Sequence, residues 1–172
     1  MMADKIKAST VRFIKLGGGG GYEKQALEEG RLYLGYHEAS DEACRRGDWD
    51  AIHQSFLDAG HKAFVASNHM RQVRDFYEQP ESCLWITFID GDLWWCFADT
   101  AVTMCLDPDW QTIAPERLGP SRYRTCIGSW QNTNINGRAL HMRSLPGYVT
   151  KTASGFRGTI CNIDSADAVL RI

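Results

Sequence analysis

The sequence has little of what announces most functional classes. No stretch approaches the roughly 18 consecutive apolar residues of a membrane span, and the opening MMADKIKAST lacks the apolar centre of an export signal. A cytoplasmic protein is therefore expected. Six cysteines stand at 44, 83, 96, 105, 126 and 161, none in a C-x-x-C or other zinc-ligand spacing, so no structural metal is expected. Cys83, Cys96, Cys105 and Cys161 lie in or beside apolar strand-like runs and read as buried, reduced packing residues. Hydrolase signatures are missing: there is no G-x-S-x-G, no H-E-x-x-H, and no Asp or Glu two residues ahead of a Lys. The five histidines (37, 53, 61, 69 and 141) include no i, i+4 pair and read as surface or capping residues. No catalytic set and no cofactor motif emerge.

What is present fits one domain. With 172 residues, 44% of them hydrophobic and 23% charged, the chain is long enough to bury roughly 70% of its unfolded surface. Its net charge of −2 hides an asymmetry, since residues 1–116 carry −8 and residues 117–172 carry +6. A basic C-terminal third suits contact with a polyanion; it equally suits folding back on the acidic part.

Local patterns divide the chain into three stretches. Residues 11–36 read as strand, glycine loop, short helix and strand: Val11 to Leu16 alternate in polarity, Gly17 to Gly21 break the run, and Gly30 closes a helix from Tyr22 to Glu29. Residues 41–79 form a helical insertion, with one helix capped by Asp48 or Asp50 and running to Leu57 and another running from Ser67 or Asn68 to about Tyr77. Residues 37–48 read as turn-rich. Beyond Pro80 come short strands at 83–89, 92–98, 101–106, 122–127, 139–143, 147–152 and 157–163. This order predicts an α+β domain whose sheet curls into a small barrel with helices outside.

The clearest local signal is a hairpin. Asp90-Gly91 between apolar runs predicts a two-residue type I′ turn, which pairs Trp85 with Cys96, Ile86 with Trp95 and Thr87 with Trp94. Leu84, Ile86, Phe88, Leu93, Trp95 and Phe97 then share a core face, leaving Trp85, Thr87, Trp94 and Cys96 on the other. Trp85 lies diagonal to Trp94, so the two indoles are candidate walls of a slot for a flat ligand, although ordinary packing under a helix also suits them. Trp49 and Trp130 lie in polar surroundings. Trp130 precedes Gln131-Asn132-Thr133-Asn134, whose amides can read hydrogen-bonding edges. Asp90 and Asp92 read as turn formers.

The five glycines fit no nucleotide-hydrolysis motif. Their N–H groups, at Gly18, Gly19 and Gly20 with Lys15 beside them, are candidates to hold one phosphate or carboxylate; a flexible connection is the alternative. Arg122, Arg124, Arg138, Arg143, Lys151 and Arg157 of the basic third are further candidate phosphate contacts.

The opening unit carries a resemblance. Val11-Arg12 to Lys15-Leu16-Gly17-Gly18, a short acidic helix ending in Gly30, and Leu34-Gly35-Tyr36 resemble the N-terminal PUA-like modules of some modification-dependent restriction enzymes, where an "IGW" or "IGY" strand follows the helix. That wider group includes EVE, YTH and SRA domains. The resemblance covers about residues 11–37 and implies a small curved barrel that binds nucleic acid, here DNA carrying a modified base, without cutting it. It places Tyr36 at the pocket rim and Trp85 or Trp94 in its wall. The helical stretch 41–79 departs from the pattern, and the nuclease domain that normally accompanies such modules is not in this sequence, so a nuclease domain or another protein is an implied partner. A small-molecule-binding or protein-interaction barrel is the alternative function.

Overall fold

The alternating segment after Ser9 forms β1 (Thr10–Ile14), and glycines with positive φ at 17, 19 and 20 turn the chain sharply beyond it. Helix α1 (Glu23–Glu29) ends at Gly30, whose φ of 63° is the left-handed conformation favoured at a helix end, and β2 (Arg31–Leu34) follows. Next come α2 (Asp41–Arg46), α3 (Trp49–Asp58) and α4 (Ala63–Glu78). Strands β3 (Cys83–Ile89), β4 (Asp92–Cys96), β5 (Ala98–Met104) and β6 (Arg122–Cys126) lead to α5 (Gly147–Gly155), β7 (Ile160–Asn162) and α6 (Ala166–Leu170). This computed structural model describes residues 5–105, 110–114, 117–156, 158–163 and 166–172.

The protein is α+β, with its described strands in two sheets of order β4-β3-β1-β7 and β2-β6-β5. Asp90 and Gly91 have φ of 50° and 82°, as a type I′ turn requires, and the β3–β4 register is the one this turn predicts. At Phe97 the chain passes directly from the first sheet to the second. Strand β1 runs parallel to β3, so the crossover between them contains β2 and the helices α1 to α4.

The first sheet is covered on both faces. Leu84, Ile86 and Leu93 belong to a core beneath α5 and α6, whereas Trp85, Cys96 and Ile14 belong to a second core shared with α4 and the other sheet. A third cluster, including Ile52, Phe56 and Val73, holds the helices together. The tryptophan face of the hairpin is therefore interior: Trp85 is fully buried against Phe76 at 6.2 Å between ring centroids, and Thr87 is buried beside it. The predicted indole slot is filled by the protein's own side chains. The nearly unbroken apolar run Cys83–Ile89 is the pattern of a strand buried on both sides.

Other expectations are also corrected. Ser40 accepts from the Ala43 amide and starts α2 within the stretch read as turns. Residues 147–152 are helical rather than extended, and 139–143 contribute bridges and a single 3-10 turn. Residues 106 and 157, at the ends of two predicted strands, lie outside the described residues. All six cysteines are free, and Cys105 and Cys161 are only partly buried, because one follows the end of β5 and the other lies on the edge strand β7.

One buried cation joins the sheets to α4. Arg124, on the central strand β6, is 0% exposed and donates to the carbonyls of Asp99 (2.6 Å), Ala98 (3.2 Å), Phe76 (3.0 Å) and Gln79 (2.9 Å). Two of these acceptors lie at the C-terminal end of α4, whose last carbonyls have no partner within the helix and attract positive charge. Replacing Arg124 by Ala strands all four carbonyls. We expect Arg124→Ala to lower stability by about 3–5 kcal/mol, read as a fall in the urea midpoint; a change within 1 kcal/mol or so would contradict this account.

Candidate functional site

Where β1 and β2 end, their loops enclose a pocket of about 300 Å³ lined by Lys15, Gly17, Gly18, Gly19, Tyr22, Gly35, Tyr36, Gly158 and Thr159. Close approach explains two of the glycines. A Cβ on Gly17 would come within 2.9 Å of the Tyr22 ring, and one on Gly35 within 3.3 Å of the Tyr22 hydroxyl. Tyr22 can lie along this wall only because both positions lack side chains. The Gly18 and Gly19 amides meet no acceptor among the described residues. Lys15 donates to the Phe156 carbonyl, leaving two of its three N–H groups for other acceptors. The pocket thus combines unspent donors with two phenol rings.

Tyr36 is held in an unfavourable conformation. Its φ of 52° is rare for a bulky residue and costs on the order of 1–3 kcal/mol. Its ring packs against Phe56 at 5.6 Å and His69 at 4.9 Å between centroids. Burial raises its pKa, with the Thr159 hydrogen bond opposing and Glu38 reinforcing the rise, so the phenol stays neutral. His69 is pushed down by burial and by His61, which keeps the imidazole uncharged near neutral pH. Its Nδ1 is buried with no partner among the described residues. His69 also lines a larger adjoining groove of about 600 Å³, which meets the first pocket at Gly158 and includes Asn68, Arg71, Gln72 and Phe156.

A buried arginine fixes the Tyr36 loop. Arg122 donates to the carbonyls of Tyr36 (3.1 Å) and Ala39 (2.6 Å), to the Ser121 hydroxyl (2.9 Å) and to the Tyr77 hydroxyl (2.9 Å). Tyr77 in turn donates to Asp41 at 2.6 Å, and Arg45 donates to the same carboxylate at 2.7 Å. A chain of hydrogen bonds therefore runs from α2 to the pocket wall.

The residues predicted from sequence separate into three groups. Lys15, Gly18, Gly19 and Tyr36 meet in the pocket. Arg122 and Arg124 are buried at 0% exposure, so neither can meet a phosphate; their positions on a central strand turn them inward. Trp130 is also buried, its Nε1 donating to the Arg31 carbonyl at 3.0 Å. With Trp85 and Thr87 it belongs to the interior. The rest lie apart from the pocket: Gly20 stands beside Glu23, half-buried Trp49 packs on Tyr77, and half-buried Trp94 packs against the core between the sheets. Asn134 caps its own loop by accepting from the Asn136 and Arg138 amides, and Asn132 accepts from the Leu140 amide through its carbonyl. Arg138, Arg143 and Lys151 are exposed, and Arg157 lies outside the described residues.

Sequence reasoning missed Tyr22, Gly35, His69, Gly158 and Thr159. Gly35 next to Tyr36 was the available signal for Gly35; nothing local marks Thr159, which arrives from the far end of the chain. No family model, curated protein or solved structure matches the chain.

The network makes stability depend on acid. Burial opposes ionisation of Asp41, but the Tyr77 hydroxyl and the Arg45 guanidinium outweigh it and hold the carboxyl below its usual range. A lowered folded-state pKa contributes stability that is present above the unfolded value and lost as pH falls through the folded one. We expect Asp41→Asn to cost about 1–2 kcal/mol at pH 7, with the gap to wild type closing as pH drops below the ordinary aspartate value of 3.8. Urea titrations at several pH values check this; a gap independent of pH would contradict it.

Proposed function

We propose that the chain is a nucleic-acid-binding module that takes a flipped or modified base, most simply of DNA, into the glycine-loop pocket without cutting the strand. The observation that carries this reading is the meeting of unspent Gly18 and Gly19 amides, the Lys15 ammonium and the Tyr22 and Tyr36 rings in one cavity. Successive backbone amides and an ammonium suit a phosphate oxygen, and aromatic walls suit a base, whose stacking is worth about 1–3 kcal/mol. Such contacts offset the few kcal/mol needed to extrude a base. The adjoining groove, lined by Asn68, Arg71 and Phe156 among others, is the proposed path for the flanking strand.

The PUA-like likeness belongs to this proposal, with the two sheets as the halves of a small curved barrel. Two parts of the resembling stretch, Lys15, Gly17 and Gly18 in one and Gly35 and Tyr36 in the other, line the pocket. Arg138, Arg143 and Lys151 are the proposed outer phosphate contacts, and a nuclease domain or another protein is the proposed partner that would act on the bound DNA.

Three duplexes test the reading: fully paired, carrying one mismatch, and carrying one modified base. Binding at least tenfold tighter to an extrudable or modified base is expected, with log K falling as log salt rises. Tyr36→Ala should remove most of that preference, whereas Lys15→Gln should weaken all three duplexes alike. No salt-dependent binding to any duplex would overturn the proposal.

A further inference from the structure

Against the face of the first sheet that carries Leu84, Ile86 and Leu93 lies a second cavity, of about 160 Å³, which shares no lining residue with the glycine-loop pocket. Its walls include Leu84 and Ile86 of β3, Leu93 and Trp95 of β4, Leu140, and Val169 of α6. All of these except Trp95 are buried members of one core. Protein interiors seldom keep a void larger than a water molecule, and an apolar one stays dry because water finds no partners in it; cavities of about 150 Å³ lined in this way admit benzene.

Several polar groups at its edge are already engaged. Trp95 Nε1 donates to the Thr133 carbonyl at 2.8 Å, so the indole presents only ring surface to the cavity. Asn134 accepts from two backbone amides and donates from Nδ2 to the Ile172 carbonyl at 3.0 Å. Arg171 is paired with Asp167 at 2.9 Å. A charged guest would surrender its hydration against walls made mostly of buried aliphatic side chains. The Asn134 bond to Ile172, together with Ile6 N–H donating to the Leu170 carbonyl at 3.2 Å, ties the end of α6 and the residues after it to the rest of the fold.

We propose that this cavity is a second binding site, independent of the base pocket, for a small uncharged aromatic molecule of about one ring. Exposed Ile135 stands at its mouth.

Toluene is the probe, followed by methyl NMR and by Trp95 emission, with a Trp95→Phe control to assign the emission change. Saturable shifts confined to the methyls of Leu84, Ile86, Leu93 and Leu140 are expected, with benzoate and benzylammonium at least tenfold weaker. Leu140→Phe should fill the space and abolish binding. Tyr36→Ala should leave toluene affinity unchanged, which separates this site from the nucleic-acid pocket. Absence of saturable shifts in the folded wild-type protein, or equal binding of the charged analogues, would overturn the proposal even if the Leu140 variant failed to fold.

Discussion

A guanidinium taken out of water must recover its hydrogen bonds inside the fold, and Arg122 and Arg124 do so mostly from backbone carbonyls. Among the described residues neither pairs with a carboxylate, and Asp41 is linked to Arg122 through the Tyr77 hydroxyl. This matters for how the domain is assembled. Carbonyls at the end of α4 and at the start of β5 are fixed to Arg124, and those in the loop after β2 to Arg122, so that β6 ties the three segments together. Buried charge is costly unless its geometry is satisfied, so misplacing any one of these segments would leave a cation without its full set of acceptors. The two arginines thereby impose one arrangement on the helical insertion relative to both sheets.

That constraint reaches the candidate site through Tyr36. A left-handed tyrosine relaxes unless its surroundings forbid it, and here the carbonyl is held by Arg122 while the ring packs against both Phe56 and His69. Strain of this kind persists where the fold over-determines a position, and it is concentrated at functional sites. The pocket wall is thus supported from behind by groups that never touch the cavity. Arg122 acts as a positioning residue whose influence passes through the peptide unit of Tyr36.

Local chemistry was legible where a single short segment determines the outcome. Asp90-Gly91 dictates its turn and the register of two strands, Gly30 ends a helix, and Asp48 starts one. The glycine run and Tyr36, singled out in the sequence, line one cavity. Burial was harder to read, because which face of a strand is interior depends on partners distant in the chain. Trp85 reads as a candidate ligand wall when only the hairpin is considered, yet α4 covers that face once β1 pairs with β3 in parallel. Strand β6 misleads in the opposite direction. Its order Arg122-Tyr123-Arg124 suggests arginines facing solvent, whereas the exposed residue among its neighbours is Thr125 and both arginines point inward.

The inward turn of these residues changes the electrostatic basis for a polyanion partner. The charge of +6 on residues 117–172 includes Arg122 and Arg124, which serve the interior, and Arg171, which is paired with Asp167 on the surface. Two of the eight basic side chains in this stretch are therefore spent within the fold, and a third is paired at the surface. What remains near the pocket is Lys15, the Gly18 and Gly19 amides, and Arg71 along the adjoining groove. A short array of this kind favours one phosphate held at a defined position over a long backbone track. Recognition centred on a single nucleotide fits such an array better than a salt-driven grip along a whole duplex, because few counterions would be released and the discrimination would rest on the fit of one base.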